Sequence, residues 1–134
     1  MEKEIEITVP FYDLDPMQVV WHGNYVKYME MARCALLADC AMTYTDMERI
    51  GFAFPIVTIN VKYIKPSVFG QKIIVRVKHV PNENFLMFKY QMFDAETHDK
   101  ICVAETKQMA VNLKTHESYF QLPEPFLTIF GGEK

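Results

Sequence analysis

Ile5, Ile7 and Val9 alternate with Glu4, Glu6 and Thr8. A period of two puts one face of a strand in a core and the other in water, so the chain opens on a half-buried strand that Pro10 ends. From Asn24 to about Ala41 the period changes. Tyr25, Tyr28, Met29, Ala32 and Leu36 recur at helical spacing, and Val26, Met31, Ala35 and Leu37 are apolar as well. Lys27, Glu30 and Arg33 share one narrow polar arc. A helix that is apolar around most of its circumference needs cover around most of it. Thr45-Asp46-Met47-Glu48 then reads as a capping box with Gly51 as its stop, which predicts a short second helix.

Four strand patterns follow. Val57, Ile59, Val61 and Tyr63 alternate with Thr58, Asn60 and Lys62. Ile73, Val75 and Val77 alternate with Lys72, Arg76 and Lys78. Leu86, Phe88, Tyr90 and Met92 alternate with Met87, Lys89 and Gln91. The last strand is expected from Ile101 to Leu113. The breaks at Pro66 to Gly70, Pro81 to Asn84 and Ala95 to Lys100 are short and turn-like, so sequential strands are expected to pair antiparallel. In the last strand Cys102, Ala104, Thr106 and Ala110 are small and share a face, which predicts that the helix approaches there.

The order is strand, long helix, short helix, four strands, an α+β arrangement. A helix of about 18 residues is roughly 27 Å long, and a strand of about 10 residues spans roughly 33 Å. A curved antiparallel sheet can therefore wrap the helix lengthwise. Two known folds share that order, the hotdog fold and the cystatin-like fold, and the element order does not separate them.

Composition narrows the possibilities. The chain has 134 residues, half of them apolar, with a net charge of −3. That predicts one domain (1–134) with a sizeable core, not a disordered tail or a strongly basic nucleic-acid binder. No uncharged stretch approaches the ~20 residues of a membrane span. The opening MEKEIEITVP has no apolar signal segment, and the three cysteines, Cys34, Cys40 and Cys102, form no C-x-x-C pair. A cytoplasmic protein with free, buried thiols is the expectation. Charge is uneven: residues 52–92 hold six basic side chains and one acid, a net +5, which leaves −8 elsewhere. Such a patch suits either an anionic ligand or a solvated sheet face.

Several chemistries drop out. There is no G-x-S-x-G, P-loop or G-x-G-x-x-G, and His22, His79, His98 and His116 lack metal-ligand spacing. What remains is residues 11–33, FYDLDPMQVVWHGNYVKYMEMAR. Asp13 and Asp15 precede a proline, then comes an apolar run from Met17 to Trp21, and His22-Gly23-Asn24 opens the helix. So apolar a loop packs down, which brings a carboxylate near the helix's first turn. Free N–H groups and a partial positive charge reside there. A carboxylate beside an oxyanion hole suits acyl transfer. No general acid is evident. A thiol leaving group, with a pKa near 8.5 by analogy with cysteine, needs none, so a thioester fits this kit better than an amide. Asp13 or Asp15 could equally serve as a turn or capping residue.

The stretch Asp13-x-Asp15-Pro16 … Val20-Trp21-His22-x-Asn24-Tyr25-x-x-Tyr28-x-Glu30-x-Ala32-Arg33 resembles the 4-hydroxybenzoyl-CoA thioesterase family of hotdog proteins, as does Pro55-Ile56-Val57-Thr58-x-Asn60. The resemblance implies a hotdog fold, with the sheet wrapped around the long helix, and an acyl-CoA or acyl-carrier-protein thioester as substrate. It implies that Asp15 is the nucleophile or general base. It also implies that the helix start at His22 and Gly23 polarises the carbonyl, with an added role open to the His22 side chain. Trp21, Asn24, Tyr25, Val57 and Thr58 become candidate substrate contacts. No metal or cofactor is implied, and neither nucleic acid nor membrane is an expected partner. A homodimer or homotetramer with sites at the subunit interface is.

Two departures stand out. Relatives often carry a glycine just after D-x-D-x, where this chain has Met17-Gln18. The basic cluster that meets CoA phosphates in the 4-hydroxybenzoyl enzyme is replaced by Pro81-Asn82-Glu83-Asn84. Lys62, Lys65, Lys72 or Lys78 are the substitutes to look for. A hydroxyacyl-thioester dehydratase using His22, and a non-catalytic thioester-binding module, are the alternative readings.

Overall fold

A computed structural model describes residues 1–132. Five strands form the main sheet: β1 (Glu2–Thr8), β3 (Ile56–Tyr63), β4 (Lys72–Val80), β5 (Leu86–Asp94) and β6 (Lys100–Gln108). Their order across the sheet is β1-β4-β5-β6-β3, all antiparallel. A smaller sheet holds β2 (Phe52–Ala53), β7 (Ala110–Asn112) and β8 (Ser118–Tyr119). The long helix α1 (Asn24–Asp39) lies against the main sheet, and α2 (Tyr44–Ile50) follows it.

The alternation read from the sequence becomes the two faces of the sheet. Ile73, Val75 and Val77 on β4, and Leu86, Phe88, Tyr90 and Met92 on β5, are buried with Tyr25, Tyr28, Met29, Ala32, Leu36 and Leu37 of α1 in one core. The polar phase of each strand faces away. There Arg76 bonds Glu4 of β1 at 2.6 Å.

Several expectations need correction. The β3–β4 connection is not a hairpin: β3 crosses to the far edge to pair with β6, and β4 pairs with β1. The last strand breaks after Gln108, and Ala110 begins the other sheet. The α1 backbone comes closest to β1 and β4 rather than β6. The room left by Cys102 and Thr106 takes side chains instead: Arg33, expected on a polar arc with Lys27 and Glu30, is buried. It bonds the Tyr90 hydroxyl at 2.9 Å and the Tyr44 hydroxyl at 2.7 Å, and Tyr90 meets Thr106 at 2.8 Å. The capping box is Thr43 with Asp46, two residues earlier than expected, and Gly51 does end that helix, at φ 116°. A left-handed residue there costs glycine least. Of the cysteines, only Cys102 is buried; Cys34 is exposed.

Candidate functional site

The segment between β1 and α1 folds as a tight hairpin. Leu14 and Val20 bridge antiparallel. The Asp15 amide donates to Val19 O at 2.8 Å, and the Gln18 amide to Asp15 O at 2.9 Å. Gln18 closes the turn at φ 65°. That backbone favours glycine, so the glycine missing from this stretch is a position where glutamine accepts a left-handed conformation. The hairpin is tied down at both ends. Val20 N–H donates to Ser67 O, and Trp21 N–H to Asp13 O, each at 2.9 Å.

The two carboxylates part company. Asp13 is buried; it accepts from Lys27 Nζ at 2.8 Å and from the Tyr28 hydroxyl at 2.6 Å. Burial alone would raise its pKa, but the Lys27 and Tyr28 hydrogen bonds and the Lys27 charge outweigh that and hold it below the usual aspartate value. Its backbone carbonyl also takes the Asn24 side-chain amide at 2.8 Å. Asp13 thus ties the loop to α1. Asp15 is half-buried, and its Oδ1 accepts from the Met17 amide at 2.8 Å and the Val19 amide at 3.4 Å. Its Oδ2 has no partner among the described residues. This Asx-type turn fixes the carboxylate while leaving one oxygen free.

The cavity beside Asp15 has a volume of about 300 Å³ and is walled by Val19, Val20, His22, Tyr25, Tyr63 and the segment Ile64 to Pro66. At its edge the first turn of α1 has spare donors. The amides of His22 and Gly23 have no acceptor among the described residues, whereas the carbonyls of Trp21 and His22 are engaged. Trp21 is half-exposed and lies over Gly23 so closely that a Cβ there would strike its ring. The geometry therefore offers one free carboxylate oxygen, two unpaired N–H groups and an apolar, aromatic wall.

Of the residues expected at the site, Asp15, His22 and Tyr25 line this cavity; Trp21, Gly23 and Asn24 flank His22 in the chain but are not among its lining residues. Val57 and Thr58 do not join them: the five residues from Thr58 to Tyr63 cover roughly 17 Å of strand. The lysines do not converge either. Only Lys65 reaches the cavity, and it is paired with Asp99 at 2.7 Å. Lys72 and Lys78 lie in other surface hollows. Tyr63, Ile64 and Pro66 were not foreseen as lining residues. The one signal for Tyr63 was its phase, which it shares with the core-facing Val61. Among the described residues, no three His, Cys, Asp or Glu side chains gather closely enough to hold a metal ion, and no helix is long and apolar enough to cross a membrane.

Comparison with known proteins places the chain in a family and a fold. A family model described as the thioesterase-like superfamily matches residues 9–129. A Bacillus subtilis protein named "Putative acyl-CoA thioesterase YneP" is 39% identical over 84 residues, 63% of this chain and 59% of that protein. The chain spans about three fifths of the length of that relative. The Arabidopsis thaliana acyl-acyl carrier protein thioesterase ATL2 is 23% identical over 128 residues, 96% of this chain and 68% of that one. Among solved structures, Synechocystis Slr0204, a 1,4-dihydroxy-2-naphthoyl-CoA thioesterase, superposes with a TM-score of 0.86 over 97% of this chain and 96% of its own, at 19% identity. The DHNA-CoA thioesterase of Staphylococcus aureus gives 0.84 over 96% and 85%, at 25% identity. The fold is the hotdog arrangement, and the cystatin-like alternative is set aside.

Proposed function

The chain belongs to the thioesterase-like superfamily, and from that premise we propose that it hydrolyses an acyl thioester, most simply an acyl-CoA, to a free acid and a thiol. The observation that carries this reading is the Asp15 carboxylate, anchored through Oδ1 and without a partner at Oδ2 among the described residues, on the wall of an apolar cavity that also takes in His22, whose amide and that of Gly23 have no acceptor among the described residues.

In this reading the substrate carbonyl oxygen takes the N–H groups of His22 and Gly23. Asp15 attacks the carbonyl carbon, or removes a proton from a water that attacks it. The carbon–sulfur bond breaks and its electron pair leaves with sulfur as a thiolate, which needs no general acid. Water supplies the hydroxyl of the released acid. Trp21, Tyr25 and Tyr63 flank the acyl group, and Asn24 braces the helix start through Asp13 O. The His22 ring, tilted against Trp21 at 5.2 Å and edge-on to Tyr63 at 6.0 Å, walls the same cavity. The resemblance to an acyl-carrier-protein thioesterase makes that carrier the second candidate. The reaction uses no metal or cofactor in this account, and the cytoplasm is its compartment.

We also propose a homodimer as the working unit. β3 is the last strand of the sheet, and along its length Ile56, Val57, Ile59 and Tyr63, followed by Ile64, are 40–47% exposed. A long, apolar, unpaired edge is a template for another strand. Antiparallel pairing of two copies about Asn60 would set Val57 of one copy against Tyr63 of the other, which brings the remote Val57-Thr58 segment to a cavity after all. Release of free thiol from a panel of acyl-CoAs tests the reaction. An enoyl thioester in place of thiol would favour the dehydratase, and binding without turnover the binding module.

A further inference from the structure

The peptide that joins His22 to Gly23 is held by a side chain from a distant strand. The Tyr63 hydroxyl, at the end of β3, donates to the His22 carbonyl oxygen at 3.0 Å. Among the described residues the one other donor to that oxygen is the Tyr25 amide, at 3.4 Å. The neighbouring peptide differs. The Trp21 carbonyl is held within the helix start itself, by the Asn24 amide at 2.8 Å. In a trans peptide the C=O and N–H point in opposite directions. A hydrogen bond that pins the His22 oxygen therefore aims the Gly23 N–H away from Tyr63, and that N–H has no acceptor among the described residues.

We propose that Tyr63 is a positioning residue: its hydroxyl fixes and polarises the His22–Gly23 peptide so that the Gly23 N–H is a directed donor to the substrate oxyanion. Hydrogen bonds in series strengthen one another, so accepting at the carbonyl makes the N–H of the same peptide a better donor. Burial, with a smaller contribution from Cys102, raises the pKa of Tyr63 above its ordinary value, so the hydroxyl stays a donor. Its ring also packs against Tyr25 at 5.6 Å and His22 at 6.0 Å, which limits how far the hydroxyl can stray. Because Tyr63 lies on the exposed edge strand, the same bond would couple the donor to whatever pairs along β3.

This role presupposes the thioester hydrolysis proposed above, so its test has one readout that depends on turnover and one that does not. Tyr63→Phe keeps the ring and removes only the oxygen. Loss of a whole oxyanion donor costs about 10²–10³ in kcat, so losing the bond behind a donor should cost about tenfold. The expected result with the purified full chain is a kcat about tenfold lower with KM within about twofold. In the 15N-labelled protein the Gly23 amide proton should move upfield, and the melting midpoint should stay within about 2 °C of wild type. A kcat within twofold of wild type, or a loss carried by KM, overturns the proposal. If the wild type releases no thiol, the hydrolase reading fails, and the Gly23 amide alone decides: movement upholds the hydrogen-bonded donor, and an unchanged shift overturns it.

Discussion

Asp13 and Asp15 stand two residues apart and do opposite things. Asp13 spends both carboxylate oxygens inside the protein, on Lys27 and Tyr28. Asp15 spends one on its own turn and keeps the other free beside a cavity. Asp15 depends on Asp13, because the Asp13 carbonyl receives the Trp21 amide and so fixes where the Asp15 hairpin rejoins the helix.

Asp13→Ala should therefore cost stability before it costs chemistry. It leaves the buried Tyr28 hydroxyl without its acceptor, a loss of about 1–3 kcal/mol. Because the folded pKa of Asp13 lies below the ordinary aspartate value, the stabilisation is present above that value. It is lost as pH falls through the folded pKa. Urea unfolding of wild type and variant at pH 7 and pH 3 should show the gap narrowing at the lower pH. An equal gap at both would argue against the ionised Asp13 as the tie.

His79 sets a second acid limit, at a higher pH. It is buried against Phe88 and Phe130, with ring centroids at 5.6 and 5.1 Å, and its Nε2 has no partner among the described residues. Burial, then the nearby Met1 ammonium, lowers its pKa from 6.5 to about 4. Between those values the unfolded chain binds a proton that the folded chain refuses, so stability is full above pH 6.5 and falls toward pH 4. The difference amounts to at most about 3 kcal/mol. His79→Leu should flatten stability against pH across that window. An unchanged slope would assign the acid sensitivity elsewhere.

Pairing along β3 predicts that the wild type sediments as a dimer or a multiple of one at micromolar concentration. Ile59→Lys places a charge on the apolar edge and should shift the mass to that of a monomer. A monomeric wild type, or a variant of unchanged mass, would remove β3 as the interface.

Much of this architecture was legible along the chain because it rests on local rules. The strand periods and the helix over Asn24 follow from alternation and helical spacing, and the Asp15 loop stood out as an apolar segment carrying two acids. Pairing order was less legible. A turn of five residues after β3 looks like a hairpin, yet Ser67 O is used to hold Val20 and β3 leaves for the far edge. Arg33 was misplaced because its partners, Tyr90, Tyr44 and, through Tyr90, Thr106, come from three other elements. The division of labour between Asp13 and Asp15 was hidden for the same reason, since Lys27 and Tyr28 lie a dozen or more residues away. Tyr63 was missed as part of the site because its hydroxyl reaches His22 across 41 residues.

The most direct test of the central claim is thiol release from an acyl-CoA panel by wild type and Asp15→Asn, side by side. The account predicts turnover by the wild type on at least one member, and a loss of about 10²-fold or more in kcat for the variant with the circular dichroism spectrum unchanged. An Asp15→Asn protein that turns over within a few-fold of wild type would contradict it.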